Sequence, residues 1–121
     1  MVLILGGFGA GKKSYARSLG YTDAQMSADP ASDAPVLTAL EETVRSDPDK
    51  AAALLPLLRK KQLVLCCEVG CGVVPMEKRD RAYREATGRL CCALAQEAAA
   101  VVRVVAGIPI ALKGELPCIS D

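Results

Sequence analysis

The sequence predicts an α/β fold, a small parallel sheet with helices on both faces. Apolar runs of strand length, Val2 to Leu5, Gln62 to Cys67 and Ala100 to Val105, alternate with segments of helical spacing. The first run leads directly into Gly6-Gly7-Phe8-Gly9-Ala10-Gly11-Lys12, and a helix-forming segment, Lys12 to Leu19, follows. With 51% apolar and 24% charged residues, the composition is that of a globular protein able to bury a core.

The glycine stretch carries the chemistry. Strand, glycine loop, helix and lysine together form a phosphate-binding P-loop. In such a loop the glycines let backbone N–H groups curl around an anion, the helix start adds its positive dipole end, and the lysine reaches the outer phosphates. The fold expected is therefore P-loop NTPase-like, and Gly6, Gly7, Phe8, Gly9, Ala10, Gly11, Lys12, Lys13 and Ser14 are the candidate nucleotide-binding residues. One component differs from the usual motif, which places a Mg²⁺-ligating hydroxyl after the lysine where this chain has Lys13. An ammonium neutralises phosphate charge but does not ligate a metal. Ser14 is turned about 100° further around the helix axis. The sequence thus leaves the protein ligand of any Mg²⁺ unassigned.

Gly20 ends the first helix, and Tyr21 to Pro35 reads as a loop that crosses over or covers the nucleotide. Val36, Leu37, Leu40 and Val44 fall at helical spacing and predict a helix from about Pro35 to Arg45. Asp47-Pro48 is a capping acid followed by proline at the first helical position, which restarts a helix kinked at Pro56. Arg59, Lys60 and Lys61 place cations at its negative end. Gln62 to Cys67 predicts a buried parallel strand that ends at Glu68. A carboxylate there lies where open α/β sheets put their chemistry, and Val69 to Pro75 then forms a glycine-hinged apolar loop.

The longest helix is predicted from Glu77 to Glu97, with Tyr83, Ala86, Leu90, Ala93 and Leu94 as its apolar stripe. Its charges read as a solvated face with i,i+4 pairs, or, at Arg81 and Arg84, as contacts to phosphate or a partner subunit. Gly88 predicts close packing against a neighbour. Ala100 to Val105 is a strand, Ala106 to Pro109 its exit loop, Ile110 to Leu112 a short edge strand, and Lys113 to Asp121 a loose tail. Domain organisation follows: one domain over residues 1–113 and a tail over 114–121.

Composition excludes several function classes. The chain has no histidine, which removes histidine bases, histidine metal ligands and covalent histidine intermediates. The net charge of +1 gives no attraction to nucleic acid or an anionic membrane, and four aromatic side chains, Phe8, Tyr15, Tyr21 and Tyr83, are too few for a base-stacking platform. Six cysteines, at 66, 67, 71, 91, 92 and 118, lack paired metal-ligand spacing and read as small buried apolar residues. Ala98 to Leu112 is too short for a membrane span and carries Arg103. No secretory leader precedes the first strand, so the expected compartment is the cytoplasm, with free thiols.

Glu68-Val69-Gly70-Cys71-Gly72-Val73-Val74-Pro75 resembles the Asn-Glu-Val-Gly-x-Gly-Ile-Val-Pro signature of the bifunctional adenosylcobinamide kinase/adenosylcobinamide-phosphate guanylyltransferase family. Arg81, Tyr83, Arg84, Glu85, Gly88, Arg89 and Leu90 are similar to the family's arginine-rich helix, and Ala106 to Lys113 to its closing Ser-Gly-Ile-Pro-x-x-Leu-Lys. Gly6, Gly7, Gly11 and Lys12 match its phosphate loop. The resemblance implies a cobalamin-assembly enzyme that phosphorylates adenosylcobinamide from GTP or ATP, with a nucleoside triphosphate and a corrinoid as partners and a trimer as the homo-oligomer. It implies catalytic roles for Lys12, on the transferred phosphoryl group, and for Glu68, which orients metal-bound water or accepts the substrate proton. The family's guanylyl transfer runs through a histidine that this chain lacks. The loop also has Gly9, Ala10 and Lys13 in place of the family's arginine, serine and hydroxyl, and the middle third departs from the family. Two alternatives stand beside the kinase: a non-catalytic nucleotide- or corrinoid-binding subunit, and a kinase of another small alcohol.

Overall fold

The computed structural model describes residues 1–68 and 78–117. It is an α/β structure around a six-stranded sheet with strand order β2-β3-β4-β1-β5-β6. The strands are β1 (Val2–Gly6), β2 (Met26–Ser27), β3 (Val36–Leu37), β4 (Leu63–Cys67), β5 (Ala100–Val105) and β6 (Ile108–Lys113). All pairings are parallel except β5 with β6, a hairpin. The helices are α1 (Lys12–Ser18), α2 (Leu40–Ser46), α3 (Leu55–Leu58) and α4 (Lys78–Glu97), with a 3₁₀ helix over Pro48–Leu54.

Alternation along the central strands divides the core in two. Leu3, Val64, Cys66 and Val101 face Leu40, Val44, Leu58, Tyr83, Leu90 and Leu94 on one side of the sheet. Ile4, Leu63, Leu65, Val102 and Val104 face Ala16 and Leu19 of α1 on the other. Helices thus cover both faces, and β1 and β4 are apolar in successive residues because they are buried on both.

The middle of the chain differs from expectation. Val36 and Leu37 form a strand, not the first turn of a helix. Two adjacent apolar residues satisfy a doubly buried strand as well as a helical stripe, and ladder pairing with Leu63 and Val64 decides between them. Ala39, at φ 54°, breaks the chain before α2 begins at Leu40. Pro56 stands in the first turn of α3, so the expected kink is a change from 3₁₀ to α geometry. Asp47 makes no side-chain cap; it stands 3.8 Å from Lys50.

Lys61 does not serve the helix end. It is buried, and its ammonium donates to Ser32 O at 2.6 Å and Ala34 O at 2.8 Å. Tyr21 Oη donates to Gln62 at 2.6 Å. These bonds fix Tyr21 and the Ser32 to Pro35 turn to the start of β4, at the end of the sheet away from the glycine loop. This part of the segment therefore does not cover that loop, and Met26–Ser27 within it is a strand.

The long helix agrees with its prediction within one residue, and Tyr83, Thr87, Leu90 and Leu94 are the buried positions among its described side chains. Gly88 does not mark a close contact, since a Cβ there would meet nothing within 4 Å. Residues 69–77, which include the glycine-hinged loop and Cys71, lie outside the described residues, as do residues 118–121 at the end of the predicted tail.

Leu94 is fully buried between α4 and the sheet. Leu94→Ala should cost about 2–5 kcal/mol by loss of burial and the cavity left behind. Chemical denaturation with an unchanged m-value is the check.

Candidate active site at the glycine loop

β1 runs between β4 and β5, and its outgoing helix α1 packs on one face while α4, which leaves β4, packs on the other. The carboxyl ends of β1 and β4 therefore flank a crevice where an open α/β sheet takes its ligand. The glycine loop and Glu68 both stand there.

Each end of the loop needs glycine for a particular reason. A Cβ on Gly6 would lie 2.8 Å from Val104 O, so the last residue of β1 has no room for a side chain. Gly11 has φ 100°, and a Cβ there would stand 3.3 Å from Gly107 Cα. Gly107, at the turn of the β5–β6 hairpin, donates its N–H to Ala10 O at 2.8 Å. The hairpin thus braces the loop from behind, a role the sequence reading did not assign to Gly107. Inside the loop Ala10 N–H donates to Gly7 O at 3.1 Å, and Tyr15 N–H to Gly11 O at 2.9 Å opens α1.

Lys12 closes the arrangement. Its ammonium donates to Gly6 O at 3.0 Å and Gly7 O at 2.9 Å, and lies 3.7 Å from Cys67 Sγ. The charge is thereby held at the mouth between β1 and β4. Phe8 at the loop tip is fully exposed, and Lys13 and Ser14 are exposed on α1.

Glu68 sits where predicted, with its N–H donating to Gly6 O at 3.0 Å. Its carboxylate has a partner the sequence did not suggest. Arg103 of β5 reaches across the sheet end and donates through Nε at 2.7 Å and Nη2 at 3.2 Å, a two-pronged pair. In the sequence Arg103 is only an interruption in an apolar run. A charge alternating outward at the end of a strand was the available signal.

Two cavities flank the loop. One, of about 630 Å³, is lined by Gly7, Phe8, Glu41, Arg45, Tyr83 and Arg84, with Glu68 at its edge. Arg84 thus lines this cavity, whereas Arg81 is exposed and does not. Glu41 is buried and accepts from Cys67 N–H at 2.8 Å. The sequence reading missed it, because an acid in the first turn of a helix reads as a dipole partner. Arg45 stacks over the Tyr83 ring at 4.7 Å. The other cavity, of about 370 Å³, lies beside Gly11, Ser14, Tyr15, Gly107 and Pro109. The Tyr15 hydroxyl is buried with no hydrogen-bond partner among the described residues, and burial raises its pKa. A third cavity, of about 390 Å³, lies far from the loop, between the 3₁₀ helix and α4. Alanines alternate in its lining with Asp49, Glu85 and Arg89, and no residue of the glycine loop takes part in it.

Residues 18–112 match the family model for cobinamide kinase / cobinamide phosphate guanyltransferase. The chain belongs to that family. Its members are transferases of cobalamin biosynthesis that use a nucleoside triphosphate and a corrinoid. The match begins within α1, so the function of the glycine loop rests on its own geometry. No curated protein matches the chain. Among the described residues no group of three or more Cys, Asp or Glu side chains converges as a metal site, and no helix is long and apolar enough to cross a membrane.

Gly11→Ala forces a side chain into a left-handed conformation against Gly107 and should cost about 1–2 kcal/mol. A fall in thermal midpoint, with increased proteolysis at residues 7–12, is the expected result.

Proposed function

We propose that this member of the cobinamide family is a kinase that phosphorylates the aminopropanol hydroxyl of adenosylcobinamide from GTP or ATP. The observation that carries the reading is the Lys12-anchored glycine loop at the crevice between β1 and β4. The triphosphate would lie along Gly6 to Ser14, its oxygens facing loop N–H groups and the start of α1. The nucleoside would enter the cavity beside Tyr15 and Gly107, and the acceptor the larger one beside Glu41, Tyr83 and Arg84. Lys12 would turn from the Gly6 and Gly7 carbonyls to the transferred phosphoryl group and stabilise its charge. Glu68, held in place by Arg103, would orient the attacking hydroxyl and take its proton.

The donor set does not fit a Mg²⁺ held by protein ligands alone. Lys13 occupies the hydroxyl's position, and Glu68 is engaged by Arg103. Mg²⁺ would therefore enter on the triphosphate as part of the substrate. With no histidine, the guanylyl-transfer step has no route through a covalent histidine. We place the activity in one domain over residues 1–113, in the cytoplasm, in a homo-oligomer that covers the β6 edge. Ile108, Ile110 and Leu112 are exposed along that edge, which supports the last point. Lys13 is the observation that favours a second reading, a non-catalytic subunit that binds nucleotide or corrinoid.

Single-turnover transfer from γ-labelled GTP and ATP to adenosylcobinamide with Mg²⁺, alongside calorimetry of nucleotide binding, separates the two. Product establishes the kinase, binding without product favours the second reading or another small alcohol, and no nucleotide binding refutes the kinase and the nucleotide-binding subunit. Lys12→Ala removes charge-assisted hydrogen bonds of about 1.5–3 kcal/mol, so nucleotide affinity should fall about 10- to 100-fold or more. Unchanged affinity would remove the loop from the site. Lys13→Ser should raise phosphoryl transfer with little change in affinity.

A further inference from the structure

Cys66 and Cys91 belong to no step of the proposed reaction, yet the fold brings them together from strand and helix. Cys66 is fully buried on β4 and Cys91 partly exposed on α4, and their sulfurs share a hydrogen bond of 3.7 Å. The other thiols of the two vicinal pairs are placed differently, Cys67 towards Lys12 and Cys92 exposed on α4. We propose that Cys66 and Cys91 form a redox modification site, a dithiol that is oxidised to an internal disulfide by exchange with a small-molecule disulfide of the glutathione class.

The chemistry follows from the asymmetry of the pair. The hydrogen bond to Cys91, together with burial, holds the Cys66 thiol far above the usual range. The same bond draws Cys91 below it, against burial and the nearby Glu41 carboxylate. Cys91 therefore ionises first, and it is the partly exposed residue of the pair. Its thiolate attacks one sulfur of the small-molecule disulfide, forming a mixed disulfide and expelling one small thiolate. Cys66 then gives up its proton and attacks the Cys91 sulfur, forming the internal disulfide and releasing the second small thiol. Two protein thiols are oxidised, one disulfide is reduced to two thiols, and no other reactant is needed.

The sulfurs must close from 3.7 Å to a disulfide length of about 2.05 Å. The bridge would join the strand end that carries Cys67 and Glu68 to the helix that carries Tyr83 and Arg84, two walls of the 630 Å³ cavity. It requires no nucleotide in the glycine loop.

The test is exposure of the full chain to graded ratios of oxidised to reduced glutathione, followed by acid quench, alkylation under denaturing conditions and peptide mass mapping. The expected result is a Cys66–Cys91 linked peptide in the wild-type chain, and a Cys91→Ala chain with Cys66 unmodified. A wild-type chain whose oxidised form lacks the Cys66–Cys91 linkage, or whose first disulfide joins either residue to Cys67, Cys71, Cys92 or Cys118, overturns the proposal. The wild-type map decides even where a variant fails to fold.

Discussion

The approach of three backbones at the end of β1 is the constraint on which the site depends. Gly6 lies so near the Val104 carbonyl that no other residue fits, and Gly107 of the following hairpin both packs on Gly11 and bonds to Ala10. A loop made of glycine alone would lose much entropy on ordering. Here the hairpin holds it from behind and the Lys12 ammonium ties its two ends, so it is shaped before any ligand arrives. Antiparallel β6 is thus more than an edge: its turn is part of the site.

Electrostatics then divide the crevice. On the β1 side stand Lys12 and the start of α1, which attract anions. On the β4 side stand Glu68 and Glu41, each already engaged, one by Arg103 and the other by the Cys67 N–H. Engaged carboxylates repel an incoming phosphate less than bare ones would, because a neighbouring guanidinium or peptide dipole offsets part of their field. Glu68 is mostly shielded from solvent, with 20% of its side chain exposed, so its pair with Arg103 is screened less than a surface pair.

Where a local signal had one physical meaning, the sequence was legible. The doubly buried strands β1 and β4, the apolar strand β5, the glycine loop and α4 all follow from patterns that no competing element satisfies. Glu68 was legible for the same reason, as a charge at the end of a buried run. The middle was not, because Val36-Leu37 fits both a strand and a helical stripe, and the choice is made by β4, which lies 26 residues or more away in the chain. Lys61 misled because its terminal position in a basic run resembles a dipole partner, while its actual work is to satisfy two carbonyls of a distant turn. Arg103, Glu41 and Gly107 were missed in common fashion: each acts through a partner distant in the chain, and such pairings leave no spacing rule behind.

Lys13 is where the chain departs from the usual phosphate-loop motif. A hydroxyl in its position would hold a metal, and the metal would draw the outer phosphate oxygens together. A second ammonium also brings positive charge to the phosphates, but from a flexible, exposed stem and with no fixed coordination geometry. Charge neutralisation survives that exchange better than precise alignment does. Binding depends chiefly on the first and phosphoryl transfer on the second. The substitution should therefore spare nucleotide affinity and fall most heavily on the rate of transfer. That rate is where the kinase reading and the binding-subunit reading diverge.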